Sequence, residues 1–498
     1  MFSFNSQLVD SLKKTKTKRL LIIAVGTLIL INGIVHSYKP LPHGTNFAGT
    51  TYPIHDSQIT LLFDYTFTDE SNERKFEHTI FETILETVNT TTSYLLLDMF
   101  LYNNQLGLAT SSYRPLSTEL SEKLVAQQHS SDIYVITDYI NTAYGSYYPE
   151  PIKLLKNSNI PVLFTDTSVL RDSNPIYSSL YRSFLQFIPP VGGNFLPNPF
   201  DPNHEQATIS AYLKGLNFKA NHRKVLVASV TDSEDEDSEL WTTIISSLNP
   251  HDGSSAHSNI GIKIDDHPII LDILETEQAV AQFTNNSSIL PREVPHISAL
   301  QPSQNTVTLL TENAIKQSIL TDIKKTTASD QIHLAMFYFS DRDIIKALKQ
   351  AANRGAQIQV LLDPNKDAFG REKNGIPNRQ VGRELHRHSE NITVRWCATN
   401  GEQCHSKLLL IESNDTIIAH LGSANFTRRN LNNLNLETNL RLSLTNDSEH
   451  ANDILFFFNR QWSNKDGLFS LLFSEYEDTN ILRILWYRIG EFTGMSHY

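Results

Sequence analysis

The 498 residues contain only two cysteines, Cys397 and Cys404, and four tryptophans. Two cysteines cannot build a disulfide framework, and alone they do not make a structural zinc site, which takes four ligands. Basic charge is also scarce: 42 Lys and Arg face 54 Asp and Glu, a formal net charge of −12. Residues 1–19 hold Lys13, Lys14, Lys16, Lys18 and Arg19 against Asp10 alone, so the rest has 37 basic and 53 acidic residues, or −16. A body that acidic weighs against a non-specific nucleic-acid binder, which draws on clustered Lys and Arg. Long apolar runs are missing too, with one exception. Leu20–Val35 (LLIIAVGTLILINGIV) follows the basic N-terminus and as a helix would span roughly 24 Å, a little short of the roughly 30 Å hydrocarbon core. The run reads first as a signal anchor, ahead of a cleaved signal peptide and of a buried helix. An anchor gives residues 1–19 as a basic cytoplasmic tail, 20–36 as a single transmembrane helix, and a body on the periplasmic or cell-surface side.

What is present is ordinary globular composition, 40% apolar, enough for a sizeable core. Strand and helix patterns alternate and are written twice. In the second half IHLAMFYF (332–339) reads as a buried strand, 342–354 (RDIIKALKQAANR) as an amphipathic helix stopped by Gly355, and IQVLLD (358–363) as a strand. In the first half YLLLDMFLY (94–102), IYVITD (133–138) and PVLFTD (161–166) read as strands. Leu97-Asp98-Met99-Phe100 resembles Leu334-Ala335-Met336-Phe337, and both precede a His-x-Lys, which points to internal duplication. The fold class expected is α/β: two similar lobes, residues 55–290 and 305–465, each a mostly parallel mixed sheet flanked by helices. The proline-rich stretch 291–304 divides them. The run TDSEDEDSE (231–239) reads as a solvated acidic loop. Residues 466–498 form an amphipathic extension, expected to pack on the body, with a membrane interface as the alternative.

Chemistry concentrates in two motifs. In NHRKVLVAS, His222 and Lys224 are two apart and so share one side of a strand; Ser247-Leu248-Asn249 follows. In CHSKLLLIESNDTIIAHLGSANFTRRNLNNLNLE, His405 and Lys407 have the same spacing, with Ser423 and Asn425 in GSAN and then Glu437. From His to Asn is 27 residues in the first half and 20 in the second. Lys and amide groups suit an anionic phosphodiester, and imidazole is both a nucleophile and, protonated, an acid. One His on each side of phosphorus allows in-line attack and departure. His251, His257, His386 and His388 are expected at the surface or as caps, and Asn378-Arg379 at a helix start. Val394–Cys397 and the segment from Gln403 read as a hairpin that brings Cys397 and Cys404 within disulfide reach.

This doubled pattern resembles the phospholipase D superfamily, marked by His-x-Lys-x4-Asp repeated in a bilobal chain, and the resemblance covers about residues 55–460. It implies one site at the lobe interface, a phosphohistidine intermediate, and no metal or cofactor. His222, Lys224, Asn249, His405, Lys407, Asn425 and Glu437 would be catalytic, with Glu412, Ser423, Ser247 and Asn259 supporting. Glu437 would orient the His of its own half, His405, and Asn259 would serve His222. The sequence departs from the family where Ser229 and Glu412 stand in place of the two Asp residues. The function this implies is a phospholipase D-like phosphodiesterase or phosphatidyltransferase. Its partners would be phospholipid, the bilayer and a water or alcohol acceptor, with no specific nucleic acid. The alternatives are a nuclease or other non-lipid phosphodiesterase, and a catalytically weakened binding protein.

Overall fold

A computed structural model describes residues 3–108, 113–189, 193, 195–232, 238–293 and 295–496, with backbone alone for 3–15. The centre of the acidic run, 233–237, and residue 294 of the proline-rich divider lie outside the described residues. In chain order the first strands are β1 (Ala48–Pro53), β2 (Ile59–Thr68), β3 (Arg74–His78), β4 (Thr91–Met99), β5 (Asp132–Thr137), β6 (Val162–Phe164), β7 (Lys224–Thr231), β8 (Glu239–Ser246) and β9 (Asn259–Asp265). There follow β10 (Thr306–Thr311), β11 (Gln331–Met336), β12 (Gln357–Leu362), the small hairpin β13 (Asp367–Ala368) and β14 (Arg371–Glu372), β15 (Ile392–Cys397), β16 (Lys407–Glu412), β17 (Thr416–Gly422), β18 (Thr438–Thr445) and β19 (Ser470–Leu472).

These strands make two large sheets, ordered β3-β2-β9-β8-β7-β4-β5-β6 and β1-β10-β18-β17-β16-β11-β12-β15-β19. Seven positions correspond one to one, β2-β9-β8-β7-β4-β5-β6 with β10-β18-β17-β16-β11-β12-β15, so the duplication read in the sequence is built into the sheets. Strand alternation explains the layering. On β4, Leu95 and Leu97 face an outer core with helix Ile80–Asn89, while Tyr94 and Leu96 face an inner one. That inner core is shared, joining Leu96, Val225 and Val227 of one sheet to Leu408, Leu410, Leu440 and Leu442 of the other. The result is helices, sheet, sheet, helices, with the two sheets back to back.

The sheets are mixed as expected, but antiparallel pairs outnumber parallel ones. Only β4–β5 and β5–β6 in the first sheet, and β11–β12 and β12–β15 in the second, are parallel. Helices Leu116–Gln127, Glu150–Asn157, Arg342–Asn353 and Asn378–His386 make the crossovers between these pairs. After β7 and β16 the chain returns directly, so β7–β8–β9 and β16–β17–β18 pair antiparallel. Local signals worked well where they were strong. Helix Arg342–Asn353 buries Ile344, Ile345, Leu348, Ala351 and Ala352, is capped by the Asp341 carboxylate on the Asp343 and Ile344 amides, and stops at Gly355 with φ 103°.

The N-terminal helix spans Ser3–Tyr38, and its Lys16–Tyr38 stretch, which contains an 18-residue window of mean hydropathy 2.2, is long and apolar enough to cross a membrane. Residues 48–53 join the second sheet, through β1 on β10. The C-terminal helix Ile481–Thr493 packs on the second lobe by one face, burying Tyr487.

Candidate active site

β7 and β16 begin at Lys224 and Lys407, and each is preceded by two residues of extended chain that carry the histidine. Those lead-in segments are held by the opposite lobe. The His222 amide donates to the Leu436 carbonyl at 2.9 Å and the Leu436 amide to the Ala220 carbonyl at 3.0 Å. In the other half the His405 amide donates to the Ser258 carbonyl at 2.8 Å, and the Ser258 amide to the Gln403 carbonyl at 3.2 Å. The stretch before β18 thus lies beside His222, and the stretch before β9 beside His405.

The side chains follow that crossing. His222 Nδ1 lies 3.0 Å from Glu437 Oε2, and His405 Nδ1 lies 3.2 Å from Asn259 Oδ1. Both pairings reverse the sequence expectation, which gave Glu437 to His405 and Asn259 to His222. The reason is the pair of inter-lobe bridges: Glu437 follows Leu436 and Asn259 follows Ser258. The supporting serines obey the same pseudo-symmetry. Ser423 Oγ donates to Glu437 Oε2, and Ser247 Oγ donates to Asn259 Oδ1 at 3.1 Å. Asn430 completes the hold on Glu437 by donating to Oε1. Asn259 in turn donates to Asp64 Oδ2 at 3.2 Å, so a carboxylate stands one residue further back from His405.

The lysines match as well. Lys224 Nζ donates to the His222 carbonyl and Lys407 Nζ to the His405 carbonyl, each at 2.7 Å. Lys224 lies over the Phe100 ring and Lys407 over Phe337, while the same rings pack on His222 and His405 with centroids 4.7 and 4.9 Å away. Both histidines border one cavity of about 680 Å³, together with Asn249 and Asn425. Asn425 Oδ1 has no hydrogen-bond partner among the described residues. The walls are largely aromatic and aliphatic, including Phe100, Ile140, Phe200, Tyr212, Phe218, Phe337 and Phe369, with Arg371 and Lys373 at one side.

Burial of several cations together dominates the electrostatics. Desolvation holds His222 down to about 4, against the pull of Glu437, with Lys224 and Lys407 adding to the fall. His405 lies well below its ordinary value for the same reason, with Lys407, His257 and Lys224 contributing. Desolvation brings Lys224 down to about 7 and pushes Lys407 down as well. An anion among these groups would oppose that effect, because it favours the cationic forms of the histidines and lysines.

Glu412 and Ser229 lie away from the cavity, at the far ends of β16 and β7. Glu412 Oε2 is 3.1 Å from His333 Nε2, and Ser229 Oγ accepts the Ser93 and Tyr94 amides at 3.0 Å. That serine secures β4 to β7. His251 and His257 are buried beside the site rather than exposed: His251 borders the cavity and packs on Phe369, and His257 packs on His405. Asn378 opens helix Asn378–His386, but its side chain ties down the Phe337 and Asp363 carbonyls and the Phe339 amide. Cys397 and Cys404 are disulfide-bonded with Cα atoms 6.2 Å apart. They are not in a hairpin: β15 pairs with β12 and β19, and Cys404 bridges to Ser258.

Sequence reasoning overlooked the Phe100/Phe337 pair, although both close the repeated tetrapeptides that revealed the duplication. It also overlooked Asn430, Asp64 and the buried Arg223, whose guanidinium meets Glu277 and Glu312 at 3.0 Å each. Nothing local in the sequence marks Asp64 or Arg223, whose partners Asn259 and Glu277 lie more than 50 residues away, whereas Asn430 is seven residues from Glu437.

Residues 319–462 match a family model described as cardiolipin synthase, PLD-like domain. No curated protein matches the sequence. Among solved structures, phosphatidylserine synthase from Haemophilus influenzae Rd KW20 is similar over 91% of this chain and 97% of its own, at 10% identity and TM-score 0.55. Nuc from Salmonella typhimurium, a phospholipase D family member, aligns with 32% of this chain and 95% of its own, at 20% identity and TM-score 0.25. The class is therefore a duplicated α/β protein with two mixed sheets back to back. The match to the cardiolipin synthase, PLD-like domain lies within the second lobe.

Proposed function

We propose that the protein is a membrane-anchored phosphodiesterase or phosphatidyltransferase that acts on phospholipid through one site made by both lobes. The observation that carries this reading is the crossed pairing. Each histidine has its Nδ1 held by a group from the other lobe, which leaves Nε2 as the nitrogen available to a ligand in the shared cavity.

The two half-sites suit different steps. A nucleophilic imidazole becomes positively charged when phosphorylated, and the Glu437 carboxylate beside His222 stabilises that charge. His222 is therefore the nucleophile in this reading. Its Nε2 forms a bond to phosphorus as the bond to the headgroup oxygen breaks, and His405 as imidazolium gives its proton to the departing oxygen. In the second step, neutral His405 takes a proton from water or an alcohol. That oxygen attacks phosphorus and the nitrogen–phosphorus bond breaks, giving phosphatidic acid or a new phosphatidyl ester. Lys224, Lys407 and the Asn249 and Asn425 amides hold the non-bridging oxygens, whose charge offsets the desolvation that depresses the lysines and histidines.

Lipid is favoured by the cavity's aromatic lining, by the acidic body, and by the apolar N-terminal helix. The test incubates the full chain in proteoliposomes with headgroup-labelled phospholipid, a primary alcohol and EDTA. A phosphatidyl-alcohol product that vanishes in both His222→Ala and His405→Ala is expected. Cleavage of single-stranded DNA without any lipid product would overturn the lipid assignment.

A further inference from the structure

Two helices expose apolar faces, and one of them, Pro175–Ser183, packs against the N-terminal helix. The C-terminal helix Ile481–Thr493 is fixed by Tyr487 and by Arg488, which joins Arg342 on Glu384. Its other face leaves Phe492 89%, Ile481 77% and Trp486 65% exposed. Helix Pro175–Ser183 and the turn after it leave Ile176 76% and Phe187 72% exposed. The two meet at Ser173, whose carbonyl accepts from Arg428 at 3.1 Å while Arg429 reaches both the Ser173 hydroxyl and the Ser496 carbonyl.

Helix Pro175–Ser183 also lies along the N-terminal helix. The Asp172 amide donates to the His36 carbonyl at 3.0 Å, and Asn32 Nδ2 donates to Ser183 Oγ at 2.8 Å. Between them a Cβ on Gly33 would strike Ser179 Oγ, so glycine permits the contact. Contacts run back from 36 to 32 on one helix and forward from 172 to 183 on the other, so the pair is antiparallel. A bilayer that holds the apolar stretch of the N-terminal helix therefore meets Phe184–Phe187 about one turn, roughly 6 Å, beyond His36 towards Lys16.

We propose that these two exposed faces form one surface seated in the interfacial layer of the bilayer crossed by the N-terminal helix, with the cavity opening along it. Helix Ile209–Leu216 connects surface to cavity: Tyr177 donates to the Leu213 carbonyl at 2.7 Å, and Tyr212 and Leu216 border the cavity. On the opposite side Tyr338 and Lys373 border both the cavity and the groove that contains Trp486 and Met495. Trp and Phe beside a helix of spanning length are the residues an interfacial layer accepts. This seat rests on the N-terminal helix being a membrane span, and not on the chemistry assigned to the cavity.

Cys397 and Cys404 are bonded to each other, so one introduced cysteine is the single thiol available for a nitroxide. The full chain carrying Phe492→Cys, Phe187→Cys or, at the exposed β16–β17 turn, Asn414→Cys is labelled and placed in vesicles of phosphatidylethanolamine and phosphatidylglycerol. Collision with oxygen is compared with collision with a water-soluble nickel chelate. At positions 492 and 187 oxygen should be favoured by several fold, and at 414 the chelate. Equal chelate access at all three positions, or spin–spin broadening at 492 from a second copy, would overturn the proposal. The readout needs no turnover, so it stands apart from failure of the phosphodiesterase reading.

Discussion

His222 and His405 sit in near-copies of one setting. Each precedes a strand that starts with its lysine, each packs on a phenylalanine, and each is tied by Nδ1 to the other lobe through a residue that also takes a serine hydroxyl. They differ in what receives the Nδ1 proton: a carboxylate for His222, an amide oxygen backed by Asp64 for His405. They differ too in the residue between His and Lys. Arg223 is fully buried between two carboxylates, whereas Ser406 is buried with its hydroxyl unpartnered among the described residues. Duplication thus supplied the geometry, and divergence gave the two histidines different partners.

The largest effect should come from removing either imidazole. His222→Ala and His405→Ala should each lower lipid turnover by about 10³–10⁴-fold, measured as product release from vesicles. Equal loss in both would fit one shared site, and full activity in either would break it. The orienting groups should then separate the halves. Glu437→Gln should cost on the order of 10³-fold in kcat. Asn259→Ala loses a neutral hydrogen bond, about 1–3 kcal/mol or roughly 5- to 150-fold. A reversed order would assign the charged intermediate to His405.

The residues between His and Lys should differ in stability rather than in rate. Arg223→Met strands Glu277 and Glu312 in the core and should cost about 3–5 kcal/mol in denaturant unfolding. Ser406→Ala should change stability by about 0.5 kcal/mol or less. The smallest effect is a shift in pH. Nucleophile and acid need opposite protonation states, and burial lowers both histidines, so the optimum of kcat/KM should lie below the ordinary histidine value of about 6.5. Glu437 raises His222; its replacement by Gln should therefore move the acid limb to lower pH.

Much of this was legible in the sequence because it is periodic or repeated. The paired His-x-Lys motifs, GSAN, and the strands of residues 94–102 and 332–339 each carry a local pattern. The sense of strand pairing was not legible, because a buried strand reads the same whether its neighbour is parallel or antiparallel. The crossing of Glu437 and Asn259 was hidden for another reason. It depends on main-chain bridges at Leu436 and Ser258, and main-chain hydrogen bonds leave no mark on residue identity. His251 and His257 were misplaced for the same cause, since the loop that buries them is packed by Phe369 from the other half.

The central claim is that the two half-sites are unequal and that His222 carries the covalent intermediate. Rapid alkaline quenching of the His405→Ala chain, which preserves an acid-labile phosphohistidine, with a phosphodiester whose leaving group needs no proton, tests it directly. The account predicts a phosphorylated peptide containing His222 and none in His222→Ala. Phosphate trapped instead on His405 in the His222→Ala chain would contradict it.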